Sequence, residues 1–292
     1  VILKKIKKIK WAKSEDKILK NNFGKMSRKE IIKKLPNRTV CAISYRAKVI
    51  GCEKYSHEKR GFLTRGKNRK YNIDFNFFEK INEINSYWAG FIAADGCIKT
   101  KRREIVIGIS EKDKKHLELF SIYLKYNGSL IKVPKKKSKA INGKPINSGP
   151  SVRMELYGVE RLINGLKKNF NIEDRKSLIL KPPVNLKIKY ALCYIAGYLD
   201  GDGHIHKYKN KNNKYSVGFI GTFEVLNWIK STLDIIAPNE EGQHKGKEAK
   251  VFTKGKYPRY LIGGKRVFKL ARKINKLKLP LLKRKWGKIL TS

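Results

Sequence analysis

The chain has 292 residues, with 69 Lys and Arg against 24 Asp and Glu and a net charge of +45. That length holds a core and two or three domains, and the charge is more than solubility needs, so the expected partner is a large polyanion. No apolar run reaches bilayer-spanning length and no lipidation signal is present, so a membrane partner is not expected.

Residues 1–10 alternate Ile with Lys, lack a cleavage site, and read as a basic arm. Between residues 11 and 51 three short helices are expected. Ser14-Glu15-Asp16 opens the first with acids in its first turn. Ser27-Arg28-Lys29-Glu30 is a capping box for the second. Thr39 caps the third, which carries Val40, Ile43, Ala47 and Ile50 and stops at Gly51. Trp11, Glu15-Asp16, Leu35-Pro36, Arg38-Thr39, Ala42-Ile43 and Arg46-Ala47 stand as in Myb/SANT-like helix-turn-helix domains, which this stretch resembles. In such a motif the last helix enters the major groove, which makes Arg38, Ser44, Tyr45, Arg46 and Lys48 DNA-contact candidates; a solvated helix face is the competing reading of each. Residues 52–72 form a basic linker.

Two copies of one pattern follow, in residues 73–183 and 184–292. Each begins with an apolar helix: Trp88-Ala89-Gly90-Phe91-Ile92-Ala93-Ala94-Asp95-Gly96, then Ile195-Ala196-Gly197-Tyr198-Leu199-Asp200-Gly201-Asp202-Gly203. The two Asp-Gly pairs lie 107 residues apart (202 − 95), about one small domain. Gly90 and Ala94, like Gly197 and Gly201, are four apart, so each pair shares a helix face without bulk, and another helix can approach closely there. Gly96 and Gly203 stand where the helices stop. Asp95 and Asp202 then fall in last turns, where the dipole disfavours an anion. If the helices pack together the carboxylates meet at one end, and a divalent cation such as Mg²⁺ offsets their repulsion.

After Gly96, strands are expected at 97–100 and 104–110, a helix at 112–126, strands at 129–133 and 151–157 around a polar excursion at 134–150, and a helix at 159–170. The second copy repeats the order, with strands at 204–208 and 215–222, a helix at 224–236, strands at 247–252 and 257–262, and a helix at 266–276. Strand alternation is clearest at Ile105, Ile107 and Ile109. One sheet face should be apolar and the other wet. The wet-face candidates are Lys99, Arg103, Lys132 and Arg153 in the first copy and Lys207, Lys209, Lys250 and Arg259 in the second. Acids are scarce among them, which favours phosphate contact over an ordinary solvated face.

The duplicated string resembles that of the LAGLIDADG homing endonucleases in their two-motif, single-chain form. It departs from the family string at Trp88, Phe91 and Ala93, and at Ile195, Tyr198, Leu199 and Gly201, but keeps both final acids. The resemblance implies an α+β fold: a duplicated αββαββα domain with pseudo-twofold symmetry, whose two helix-backed antiparallel sheets form a saddle on double-stranded DNA. It implies a monomer that makes a Mg²⁺-dependent staggered cut in a long, non-palindromic target, with Ca²⁺ able to replace Mg²⁺ without supporting cutting. Asp95 and Asp202 match the family's metal-binding catalytic acids. The carbonyls just before them, on Ala94 and Gly201, are candidates to complete the metal shell. Lys176 and Lys285, in matching basic segments, are the candidate charge stabilisers or water organisers; plain basic turns are the competing reading. Glu111 and Thr222 begin corresponding helices as candidate water ligands. Two other classes stay open: an intron maturase that binds RNA, and a DNA-binding regulator that does not cut.

Cys41, Cys52, Cys97 and Cys193 have no C-x-x-C spacing, and Cys41 and Cys193 lie in apolar helical patterns. Buried free thiols are expected, in an intracellular compartment (cytoplasm or nucleoid, an organelle left open), in preference to a zinc site. His204 and His206 share a strand face without a third ligand nearby in sequence. There is no P-loop and no dinucleotide fingerprint. Neither terminal stretch resembles an intein splice junction, so a free-standing or intron-encoded enzyme is expected.

Overall fold

The computed structural model describes residues 10–23, 26, 28–52, 71–139, 145–208, 215–238, 251–253 and 257–290. Most of the expected basic arm and linker, Ser27 of the expected capping box, and Lys209 and Lys250 lie outside the described residues. The chain divides into two units, residues 1–70 and 71–292.

The first unit contains α1 (Lys13–Asn22), α2 (Arg28–Lys34) and α3 (Val40–Val49). Leu19, Ile31, Leu35 and Ile43 form its small core, with Trp11 and Ile50 packed at its margin. Thr39 caps α3 by accepting from Ala42 N at 3.2 Å. So small a core leaves polar contacts a large share of the work. Arg38 donates to both carboxylate oxygens of Glu15 at 2.8 and 2.7 Å, and Arg46 to both of Asp16 at 2.8 and 2.6 Å. The Arg38 guanidinium also lies 4.3 Å from the Trp11 ring centroid. Bidentate pairs of this kind fasten α3 and the turn before it to α1.

The second unit is built on two helices buried on all sides, α4 (Glu83–Asp95) and, later in the chain, α8 (Ile188–Gly201). Asn82 and Asn85 cap α4 reciprocally, side chain to backbone, at 2.9 and 2.7 Å. The small residues then let α4 and α8 touch backbone to backbone. A Cβ at Gly90 would overlap the Tyr194 carbonyl oxygen, one at Gly197 the Tyr87 carbonyl oxygen, and one at Gly201 the Ala94 side chain.

Around this pair the chain repeats itself. The first copy runs β1 (Gly96–Lys99), β2 (Glu104–Ser110), α5 (Lys114–Tyr123), β3 (Ile131–Val133), β4 (Lys136–Lys139), β5 (Pro145–Ser148), β6 (Ser151–Tyr157), α6 (Glu160–Phe170) and α7 (Lys176–Ile179). After α8 the second runs β7 (His204–Lys207), β8 (Tyr215–Ile220), α9 (Phe223–Ile236), β9 (Val251–Phe252), β10 (Arg259–Gly263), α10 (Lys265–Asn275) and α11 (Lys283–Leu290). The sheets are antiparallel, ordered β1-β2-β6-β3 and β7-β8-β10-β9. These are the same topology, because β4 and β5 pair only with each other in a hairpin within the 134–150 excursion. Ile105, Ile107, Val152 and Met154 bury one face of the first sheet, and Val217, Phe219, Tyr260 and Ile262 one face of the second.

Several details differ from the sequence reading. Segments 176–179 and 283–290 are helices, not turns. Cys41 and Cys97 are exposed, while Cys193 is buried; all four thiols are free. Cys41 faces outward because Ile43 and Ala47 supply the inward face of α3. Gly96 ends α4 in extended backbone, with no left-handed turn. Its glycine is demanded by space, since a Cβ would lie 2.7 Å from the Ile92 carbonyl oxygen. Among the described residues no helix is long and apolar enough to cross a membrane.

The interface predicts the cost of one added methyl. Gly90→Ala and Gly197→Ala each push on a fixed carbonyl and are expected to lower the unfolding free energy by roughly 3 kcal/mol in urea titrations. Gly149→Ala, where a Cβ meets nothing within 4 Å, is the control, expected within about 0.5 kcal/mol of the parent.

Candidate active site

Close packing of α4 and α8 determines where the two acids end. A Cβ built on Gly201 would lie 3.4 Å from the Asp95 carboxyl carbon, so Asp95 reaches the end of α8, next to Asp202. Asp95 is half-buried and Asp202 exposed. Burial, and then the negative charge of Asp202, push the Asp95 carboxyl up to about 6; Lys285, Lys176 and Arg284 pull the other way. Two neighbouring carboxylates in this state are suited to a divalent cation, and oxygen donors suit Mg²⁺. Among the described residues no group of three His, Cys, Asp or Glu side chains gathers in metal-binding fashion. Protein carboxylates would therefore supply only part of a shell, the rest coming from water or phosphate oxygens.

Lys176 and Lys285 reach the same place from the two short helices, α7 and α11. Both are buried, 6 % and 8 % exposed. Lys176 Nζ donates to the carbonyls of Ala93 (2.7 Å) and Ala94. Lys285 Nζ lies 2.9, 2.7, 2.8 and 2.7 Å from the carbonyls of Leu199, Asp200, Gly201 and Gly203. Each ammonium thus caps the negative end of one central helix and satisfies carbonyls that have no intrahelical donor. Burial lowers the pKa of both lysines, opposed by neighbouring aspartates. The carbonyls of Ala94 and Gly201 are each engaged by an ammonium. Lys176 and Asp202 also line one cleft of about 570 Å³, together with Ala93, Tyr198, Thr222 and Tyr257. The Thr222 hydroxyl donates to Leu180 O at 2.6 Å and caps α9, so it is already committed. Glu111 is exposed.

Residues outside the predicted set complete the centre. Asp200, 1 % exposed, accepts from the Tyr87 hydroxyl at 2.6 Å, Leu282 N at 3.0 Å and Trp286 Nε1 at 2.7 Å. His116 Nε2 lies 3.1 Å from the same Tyr87 hydroxyl, and burial pulls its pKa down to about 4, leaving it neutral. Arg284 donates to both oxygens of Asp113 at 2.8 Å, joining α11 to the first copy. The sequence offered one signal for this group: Asp200 is the one acid in an otherwise buried apolar helix.

The basic candidates on the sheets do not share one face. In an antiparallel pair, directly opposed residues lie on the same side. Lys132 opposes buried Val152, and Lys207 opposes buried Tyr215, so both stand at edges of the helix-backed side. Lys207 Nζ lies 5.6 Å from the Tyr215 ring centroid. Lys99, Arg153 and Arg259 do lie on the open faces. There Lys99 pairs with Glu104 at 3.2 Å and Arg153 with Glu155 at 3.4 Å, so the first open face is mixed in sign. Arg103 sits in a left-handed turn, 3.5 Å from Glu160. The open face of the second sheet carries His204, His206, Leu261 and Arg259 instead. In the first unit, Arg38 and Arg46 are held by Glu15 and Asp16, whereas Tyr45 is 73 % exposed and Lys48 is exposed beside half-buried Ser44.

No family model matches the chain and no curated protein matches it. Among solved structures it is similar to the homing endonuclease I-WcaI bound to its DNA recognition sequence, with 15 % identity, 77 % of this chain and 96 % of that chain covered, and a TM-score of 0.48. It is also similar to the I-LtrWI LAGLIDADG homing endonuclease bound to target DNA, with 10 % identity, 74 % and 88 % covered, and a TM-score of 0.39.

A carboxyl raised from 3.8 to about 6 binds its proton more tightly in the folded than in the unfolded chain. Its contribution to stability is complete below the unfolded value and lost as pH rises through about 6. Without divalent metal, the melting temperature of the parent should therefore fall relative to Asp95→Asn by several degrees between pH 4 and pH 7. Parallel melting curves for the two proteins would contradict the placement.

Proposed function

We propose that this chain is a LAGLIDADG-type endonuclease that binds double-stranded DNA and cuts both strands of a long, non-palindromic site in a Mg²⁺-dependent, staggered manner. The observation carrying the proposal is the convergence of Asp95 and Asp202 at the paired ends of α4 and α8, flanked by two buried lysines. Asp95 and Asp202 would hold divalent cations, which supply charge screening of the phosphate and activation of water. Every other contribution comes from the chain's own groups. The ammoniums of Lys176 and Lys285 offset negative charge near the acids and keep the helix ends rigid. Lys176, which shares a cleft with Asp202, is the better placed of the two to meet a phosphate oxygen. Lys99, Arg153 and Arg259 on the open sheet faces would bind backbone phosphates, as would the sheet-edge lysines Lys132 and Lys207.

The first unit would extend the DNA footprint. Tyr45, Lys48 and Ser44 are the contacts left open on α3, because Arg38 and Arg46 are committed to the unit's own fold. The protein would act as an intracellular monomer.

Four measurements test this reading. A target selected by the full-length chain from a randomised DNA library should be cut on both strands with Mg²⁺ and bound uncut with Ca²⁺. Asp95→Asn and Asp202→Asn should each slow cutting roughly a thousandfold, the scale of several kcal/mol of charge stabilisation, while binding persists. Tight binding by the parent with no cutting under any divalent cation would leave a DNA-binding regulator; selective binding of structured intron RNA would point to a maturase. Deleting residues 1–70 should shorten the protected footprint, and affinity should fall steeply as salt rises, as expected when many phosphates are neutralised.

A further inference from the structure

The two copies hold their buried lysines by different means. In the second copy one carboxylate does it. Asp200 Oδ2 accepts from Leu282 N at 3.0 Å and Oδ1 from Trp286 Nε1 at 2.7 Å. Lys285 lies between those residues in sequence, so the first turn of α11 is fixed at two points on either side of the lysine. The ammonium then meets four carbonyls at the end of α8. Tyr87, from α4, donates to the same carboxylate at 2.6 Å, tying the arrangement to the first copy. At the matching position the first copy has Ala93, which offers no carboxylate. There the anchor lies on the other side of the joint: Asp174, two residues before Lys176, accepts from Thr100 N at 2.8 Å and from the Thr100 hydroxyl.

From this geometry we infer that Asp200 and Asp174 are positioning residues, one per copy, which separately hold Lys285 and Lys176 against the ends of α8 and α4. Neither need touch DNA. A buried carboxylate with three hydrogen bonds is costly to desolvate and is retained only where those bonds are satisfied. Its exchange for an amide leaves at least one N–H facing another N–H, since an amide has one acceptor oxygen. The consequence is local. Losing the Asp200 anchor frees Lys285 but not Lys176, and losing the Asp174 anchor does the reverse. If the endonuclease reading holds, on which the catalytic half of this inference rests, the two strand cuts are tuned independently.

The test has one arm that needs no DNA. In full-length protein labelled with ¹⁵N-lysine and free of metal, ammonium groups held by buried carbonyls exchange protons slowly and give resolved NMR signals, assignable by their loss in Lys176→Met and Lys285→Met. Asp200→Asn should speed exchange at Lys285 at least tenfold and leave Lys176 within twofold. Asp174→Ala, which removes the single oxygen that accepts both Thr100 donors, should do the converse. Trp286→Phe, which keeps the carboxylate and removes one donor, should give a smaller increase at Lys285 and serves if Asp200→Asn does not fold. Unchanged exchange at Lys285 in both Asp200→Asn and Trp286→Phe, or equal changes at both lysines, would overturn the inference. The second arm uses a supercoiled plasmid bearing the library-selected target. Asp200→Asn and Asp174→Ala should each accumulate nicked circles cut on opposite strands, with kcat for one strand down at least tenfold and KM little changed. Equal slowing of both strands would overturn strand-specific tuning. A parent that cuts no DNA would sink the endonuclease reading while leaving the exchange result to decide the positioning roles.

Discussion

Contact between two helix backbones sets everything else in the larger unit. Glycine at positions 90 and 197 brings each helix against a main-chain carbonyl of the other. A side chain at either place would separate the helices, and the separation would be carried along both axes to their ends. The acids, the lysines that cap the helices and the sheets that follow all take their positions from that spacing. Packing of this kind is unforgiving because a carbonyl, unlike the tip of a side chain, has no other rotamer to adopt.

The same contact creates an electrostatic problem. Two helix ends converge with their carbonyls pointing outward, and each carries a carboxylate in addition. Dipoles and charges here all have one sign. The chain answers with two ammoniums delivered from outside the pair, by α7 and α11. Their burial is costly, as their lowered pKa values indicate, but each satisfies several carbonyls at once. What remains is a half-buried acid beside an exposed one. In the proposed reading, that pair of acids is where a divalent cation would bind.

Duplication has not made the copies equivalent. Strand order is the same in both sheets, yet the open face of one carries Lys–Glu and Arg–Glu pairs and that of the other histidines and Leu261. The anchors of the two lysines sit on opposite sides of their joints. The short helix α11 bridges the copies through Arg284 to Asp113, and Tyr87 of the first copy reaches Asp200 of the second.

Much of this was legible in the residues. Periodicity located most strands and helices to within a few positions, because Ile105, Ile107 and Ile109 alternate and the two Asp-Gly strings recur, but it missed the β4–β5 hairpin and the short helices α7 and α11. Spacing of small residues four apart identified the contact face of α4 and α8, and matching basic segments picked out Lys176 and Lys285. The fold decided what depends on partners far away in the chain. Arg38 and Arg46 read as outward contacts but found Glu15 and Asp16, whose positions only the packing of α3 on α1 supplies. Lys132 and Lys207 read as members of a wet face, but side is a matter of register, and register is settled by the neighbouring strand. Asp200 was visible as an acid in an apolar helix, yet its three donors come from Tyr87, Leu282 and Trp286. The sequence by itself determined most of the elements, their duplication and the pair of acids, since these follow from local pattern and spacing. Which charges are spent inside the protein and which stay free was decided only in three dimensions, because a hydrogen bond between distant residues leaves no periodic trace.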